Sequence, residues 1–196
     1  MRITGGSARG RKLTTPKSDL IRPTCDRVRE ALFNILGQRI VGSRVLDLFA
    51  GTGAIGIEAL SRSAASVLFV DQSLEAGRLI EANLRACIPR PRAAFLPLNL
   101  ATAPNLQSLR AAVEPEGRFD LVFMDPPYQK NLAQRVLAMV EKADILTEGA
   151  LIVAEEHRHV SLPETVASLV LIDHRRYGET GLWFYEPQLA PHQNDE

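Results

Sequence analysis

Val45-Leu46-Asp47-Leu48-Phe49-Ala50-Gly51-Thr52-Gly53 is a short apolar run that carries one acid and ends on two glycines. It reads as a buried strand running into a tight turn, and Ala54 to Ser63 beyond it reads as a helix. Strand, glycine turn and helix in that order form the opening unit of an open α/β sheet.

Outward from this unit the chain keeps alternating. Runs rich in β-branched residues and leucine predict strands near 44–49, 66–71, 93–98, 119–124 and 149–155, and longer amphipathic stretches predict helices near 54–63, 73–87, 102–112 and 130–142. Such alternation specifies a parallel sheet with helices on both faces. The rhythm then breaks. Ser168 to Asp173 and Leu182 to Tyr185 are two strands joined by Arg175-Arg176-Tyr177-Gly178-Glu179-Thr180-Gly181, too short a link for a parallel crossover, so they form an antiparallel hairpin. The expected fold is therefore Rossmann-like, a mostly parallel seven-stranded sheet closed by that hairpin, as in class I methyltransferases. Its boundaries fall at residues 1–37 for an N-terminal arm and helix, 38–186 for the main domain and 187–196 for a disordered tail.

The 196 residues are 45% hydrophobic, enough for one substantial core. No apolar run reaches the roughly 18 residues of a membrane span, and Met1-Arg2-Ile3-Thr4 lacks the apolar stretch of a signal peptide, so a cytoplasmic location is expected. Cys25 and Cys87 have neither paired spacing nor histidines around them, which argues for reduced thiols and no metal. His157, His159 and His174 read as surface or structural residues. Net charge is zero, but its distribution is uneven. Residues 1–29 hold Arg2, Arg9, Arg11, Lys12, Lys17, Arg22, Arg27 and Arg29 against Asp19 and Asp26, a local +6 balanced by −6 elsewhere. Such an arm suits phosphate, with a solvated basic tail as the plainer alternative. After it, Arg22-Pro23-Thr24 leads into a helix with Thr24 as N-cap, and Val28, Ala31, Leu32, Ile35 and Leu36 recur at helical spacing.

The glycine turn has two readings. Gly51-Thr52-Gly53-Ala54-Ile55-Gly56 satisfies G-x-G-x-x-G, and Asp71 follows Gly51 by twenty residues, so a dinucleotide is a serious rival. Asp47 separates the two, because a carboxylate at the strand's end would repel a pyrophosphate. S-adenosylmethionine offers an ammonium and a sulfonium instead. On that reading Gly51, Thr52 and Gly53 pass close to its methionyl part, and Asp71 accepts both ribose hydroxyls. Asn99 and the Leu100 backbone meet the adenine, unless Asn99 is simply a turn residue.

A second motif stands at the end of the fourth strand. Leu121-Val122-Phe123-Met124 runs into Asp125-Pro126-Pro127-Tyr128, where two prolines fix an extended backbone and leave the Pro126 carbonyl as a rigid acceptor. An exocyclic amine has two hydrogens, one for the Asp125 carboxylate and one for that carbonyl, and Tyr128 supplies a face for an unstacked base. Taken with the first motif, this reads as an amino-group methyltransferase.

The whole chain, from Met1 to Tyr185, resembles the bacterial RsmD family, the 16S ribosomal RNA guanine-N2 methyltransferases. The likeness rests on Arg2-Ile3-Thr4-Gly5-Gly6 with Arg9-Gly10-Arg11-Lys12-Leu13, on Arg22 to Asn34, on the loop from Asp47 to Gly53, on Asp125 to Tyr128 and on Tyr177-Gly178-Glu179-Thr180. The resemblance implies that Asp125, Pro126 and Tyr128 are the catalytic set. It also implies that the substrate is one guanine of 16S rRNA within the 30S subunit, with Arg9, Arg11, Lys12, Arg22 and Pro127 toward the RNA. Asn99-Leu100 departs from the acid-alanine pair common in wider methyltransferases. An adenine-N6 methyltransferase acting on DNA and a non-catalytic ribosome assembly factor are the alternative readings.

Overall fold

Val45, Leu46 and Leu48 of β1 (Arg44–Leu48) are wholly buried, as a strand with neighbours on both edges and helices on both faces requires. A computed structural model of the chain describes residues 1–15, 26–102, 106–127 and 131–188. In it β1 lies at the middle of a sheet with β2 (Ser66–Asp71), β3 (Ala93–Pro97), β4 (Phe119–Met124), β5 (Leu146–His157), β6 (Thr165–Val166), β7 (Leu169–Tyr177) and β8 (Thr180–Pro187). Among the described residues the order is β3-β2-β1-β4-β5-β8-β7-β6, with the first five strands parallel and the last three antiparallel. The order reverses between β1 and β4. Open α/β sheets bind ligands at that switch point, outside the carboxyl ends of the strands.

Helices α1 (Asp26–Leu36), α2 (Ala54–Ser61) and α3 (Leu74–Cys87) cover one face, through Val28, Leu32, Phe33, Ile57 and Ile80. Helices α4 (Leu106–Glu116) and α5 (Leu132–Lys142) cover the other, through Leu109, Val136, Leu137 and Val140. Alternation along each strand feeds the two cores in turn. In β4, Leu121 and Phe123 belong to the first and Val122 and Met124 to the second.

The N-terminal arm is folded, not a loose tail. Residues Arg2 and Lys12 form an antiparallel bridge, Ile3 exchanges backbone hydrogen bonds with Gly10 and Arg11, and Ile3, Ala8 and Leu13 are buried in the α1 face core. The arm sits on the C-terminal half of α2. At Gly6, with φ of 74°, an added Cβ would lie 1.9 Å from the Ser61 carbonyl oxygen, so both the turn and its seat demand glycine.

Several boundaries differ from the sequence reading. Helix α4 spans Leu106–Glu116, not 102–112, with residues 103–105 outside the described ones. Helix α2 ends at Ser61, ahead of Ser63 at φ 74°. The late hairpin is tighter than expected. β7 continues through Arg175-Arg176 to Tyr177, which pairs with Thr180 across Gly178-Glu179. The short β6 adds an eighth strand, and Gln188 still donates its N–H to the Ser168 carbonyl at 2.7 Å, past the expected start of the tail. Arg22, the Thr24 cap, Cys25, Tyr128 and the tail from residue 189 lie outside the described residues. Cys87 is a free, buried thiol pushed up by that burial, and no described helix is long and apolar enough to cross a membrane.

Candidate active site

Asp47 closes β1 on the α1 face, 4% exposed, and accepts the Gly56 N–H of the first turn of α2 at 2.9 Å. One backbone donor does not offset its burial. Desolvation, helped by the nearby Asp71 charge and opposed by the Gly56 bond, raises its carboxyl from 3.8 to about 8. A cation in this pocket would favour the ionised form and restore the charge.

The loop above Asp47 turns through left-handed backbone, with φ of 53° at Gly51 and 74° at Gly53. A Cβ on Gly53 would stand 2.9 Å from Ile80 and 3.2 Å from Phe69, so this glycine is fixed by the core as well as by the turn. The third glycine, Gly56, lets α2 pack onto β2, since its Cβ would lie 2.3 Å from the Phe69 ring.

Asp71 ends β2 and accepts the Gly51 N–H at 2.9 Å on one oxygen and the Ser73 N–H at 2.9 Å on the other. Each oxygen keeps a lone pair, enough for the two hydroxyls of a ribose. Ser73 caps α3 by accepting from Glu75 and Ala76. Asn99 is exposed and its side-chain oxygen takes the Ala101 N–H at 2.9 Å, the turn role that its position allowed. Leu100 is buried beneath it at 5% exposure.

At the next strand over, Asp125 is half-buried, Pro126 buried and Pro127 exposed. The Asp125 N–H reaches the Leu48 carbonyl at 3.5 Å, so the β1–β4 ladder carries on into the second motif. The two motifs recognised in sequence thus meet at neighbouring strand ends.

Three features escaped sequence reasoning. The first is the pair Arg29–Glu58, in which neither side chain has any exposure. The Glu58 carboxylate accepts the Thr4 N–H, the Thr4 hydroxyl and the Gly5 N–H, each at 2.7 Å, and Arg62 Nε at 2.8 Å. Arg29 Nε lies 3.4 Å from it, and the same guanidinium bonds to Asp26 and to the Arg2 carbonyl. Arg29, counted above with the phosphate-binding arm, is a core residue. Its spacing with Phe33 and Leu36 and the single acid in the apolar α2 were the available signals.

The second is Asn83 of α3, 1% exposed. It accepts the Thr14 N–H at 2.7 Å and donates at 3.0 Å to both the Thr14 and the Thr52 carbonyls, joining the arm to the glycine loop. The third is the surroundings of His157, whose Nε2 is 3.3 Å from Glu179. His159 stands close by, but Arg158 bonds to Glu179 at 3.1 Å and to His159 Nε2 at 3.2 Å, so a metal ion would have to displace a guanidinium. His174 stacks on Trp183 at 4.3 Å, and burial lowers its basicity.

Arg9, Arg11 and Lys12 are exposed. Arg11 donates to the Ala86 carbonyl of α3, one turn beyond Asn83.

The family described as conserved hypothetical protein 95 matches residues 1–186. A rRNA methyltransferase of Bacillus subtilis named YlbH is 39% identical over 186 residues, covering 95% of this chain and 98% of that protein. The ribosomal RNA small subunit methyltransferase D of Escherichia coli is 34% identical over 186 residues, covering 95% and 89%. Among solved structures, the Escherichia coli methyltransferase yhhF superposes with a TM-score of 0.79 at 31% identity, covering 97% of this chain and 99% of that one.

Proposed function

The chain belongs to the conserved hypothetical protein 95 family, the RsmD family, and on that premise we propose that it transfers a methyl group from S-adenosylmethionine to the exocyclic N2 of one guanine in 16S rRNA of the 30S subunit. The observation that carries this is the meeting of a cation-seeking acid pocket and a rigid amine acceptor at adjacent strand ends. The site fits the donor in two respects. Asp47 is a buried acid with one backbone donor among the described residues, and each Asp71 oxygen, having accepted one N–H, keeps a lone pair.

Gly51, Thr52 and Gly53 would hold the methionyl part, Asp71 the ribose, and Asn99 with Leu100 the adenine. The bound donor supplies a methyl group already activated by its sulfonium. Asp125 and the Pro126 carbonyl take the two N–H groups of the guanine amine and so turn its lone pair toward the methyl. Methylation releases one amine proton, which the Asp125 carboxylate is placed to accept. Tyr128 stacks the flipped base, and Arg9, Arg11, Lys12, Arg22 and Pro127 face the RNA.

The test is incubation of the purified protein and labelled S-adenosylmethionine with 30S particles from cells lacking the enzyme, followed by digestion to nucleosides. N2-methylguanosine at one site is the expected product. Label on adenine, or transfer to duplex DNA alone, would sink this reading in favour of adenine-N6 chemistry. Donor binding without transfer to any particle would favour the assembly factor.

A further inference from the structure

Ile80 and Asn83 stand one turn apart on α3, and both side chains meet the glycine loop. Ile80 closes the space beside Gly53, and the Asn83 amide nitrogen donates to the Thr52 carbonyl at 3.0 Å. The same amide grips the arm at two points, accepting the Thr14 N–H at 2.7 Å on its oxygen and donating to the Thr14 carbonyl at 3.0 Å from its nitrogen. Both hydrogens of that nitrogen are therefore in use, one for the arm and one for the loop. At 1% exposure the side chain is closed off from solvent. Which way round the amide sits is decided by the arm. The Thr14 N–H has to meet the oxygen, and this turns the nitrogen toward the Thr52 carbonyl; with Thr14 gone, the amide can turn over and set its own oxygen against that carbonyl, lone pair to lone pair. The rest of the arm is seated on α2, the helix that grows out of the loop. There Thr4 and Gly5 donate to Glu58, and Ala8 donates to Ser61 Oγ at 2.9 Å. The methyl transfer described above gives the Asn83 junction no task.

We propose that Asn83 makes the seated arm part of the donor site, so that S-adenosylmethionine on the glycine loop and the arm on α2 and α3 each tighten the other. This rests on the reading that the methionyl part of the donor lies against Gly51, Thr52 and Gly53. A donor bound there holds the Thr52 peptide still, which keeps its carbonyl on the Asn83 nitrogen and leaves the amide oxygen fixed on the Thr14 N–H. Conversely, a seated arm presets the same peptide for the donor. The coupling is reciprocal: the factor by which the donor favours the seated arm equals the factor by which the seated arm favours the donor. Asn83 is a positioning residue, acting through the Thr52 carbonyl.

The test is tryptic cleavage of the full chain after Arg9, Arg11 and Lys12, identified by mass spectrometry, with and without saturating S-adenosylmethionine, whose binding to each protein is measured by calorimetry. These bonds lie inside the folded arm, so they are cut when it lifts, and the rate follows the lifted population. Wild-type cleavage is expected to slow by about 5- to 30-fold at saturation. Asn83→Ala is expected to be cut faster, to bind the donor more weakly by a similar factor, and to be cut at rates within about twofold of each other with and without it. Ser61→Ala loosens the arm at Ala8 but leaves the Asn83 amide alone. It is expected to be cut faster and to keep the wild-type ratio between the two rates. A wild-type rate that saturating donor leaves unchanged overturns the proposal, even if no variant folds. So does an Asn83→Ala protein that keeps the wild-type ratio, or a Ser61→Ala protein that loses it, since the coupling would then run through α2. Failure of the donor to bind the wild type overturns the underlying reading and this proposal with it, and calorimetry alone reports that failure.

Discussion

Glu58 and Asp47 are acids buried on the same face of the sheet, at either end of one loop-and-helix segment, yet their surroundings differ in kind. Glu58 collects three N–H or O–H donors from the arm and two guanidinium groups. Asp47 has one backbone N–H, and its carboxyl is pushed up to about 8. An acid with a full set of donors is a fixed part of the architecture. An acid with fewer donors among the described residues is one that a ligand bringing positive charge would ionise. Burial is common to both, so burial alone does not mark a functional residue; the count of donors does.

Breaking the first half of that comparison should have the largest effect. Glu58→Ala leaves the Arg29 guanidinium buried without its main counter-charge, and about 3–5 kcal/mol of stability should be lost, read from denaturant unfolding. The arm should also become cleavable within residues 1–15 by a protease at concentrations that spare the wild type. Asp125→Ala probes the neighbouring strand end. It should lower methyl transfer by about 10²–10³ while donor binding by calorimetry is unchanged, since on the proposed reading the deleted carboxylate meets the amine and not the donor. Unaltered turnover would refute the assignment of that pocket.

Asp47 makes a pH prediction. Its folded pKa lies above its unfolded one, so the stability it contributes is full below about pH 4, declines as pH rises, and is gone above about 8. Asp47→Asn should flatten that part of the stability profile of the donor-free protein. Bound S-adenosylmethionine favours the ionised acid, so its binding should release up to one proton between pH 6 and 8, tightening at most about tenfold per pH unit. Calorimetry in buffers of different ionisation enthalpy measures that release, and the Asn variant should show none from this source. The smallest effect is expected at the arm's surface. Neutralising Arg9 and Arg11 together should reduce the log–log salt slope of rRNA binding by roughly 0.7 for each phosphate left without its cation, and an unchanged slope would make the arm a structural clamp alone.

Most of what decides the fold is local and was legible. The apolar β1, the glycine turn and the repeated strand-helix rhythm need no distant information, and the two strand-end motifs could be placed from them. The arm could not. Its shape depends on Glu58, Ser61 and Asn83, more than fifty residues away, and charge counting treats every arginine as solvated, which is why Arg29 was misplaced. The second half of β7 hid for a related reason. Its His174-Arg175-Arg176 stretch is too polar to read as a strand, but near the sheet's edge half-exposed positions tolerate such residues.

Asn83 ties Thr14 and Thr52 through one amide, and the consequence is mechanical. Tension applied at Thr14 is passed by two hydrogen bonds to the Asn83 amide and by a third into the Thr52 carbonyl of the glycine loop. Movement of the arm and movement of the loop are, through that junction, a single deformation.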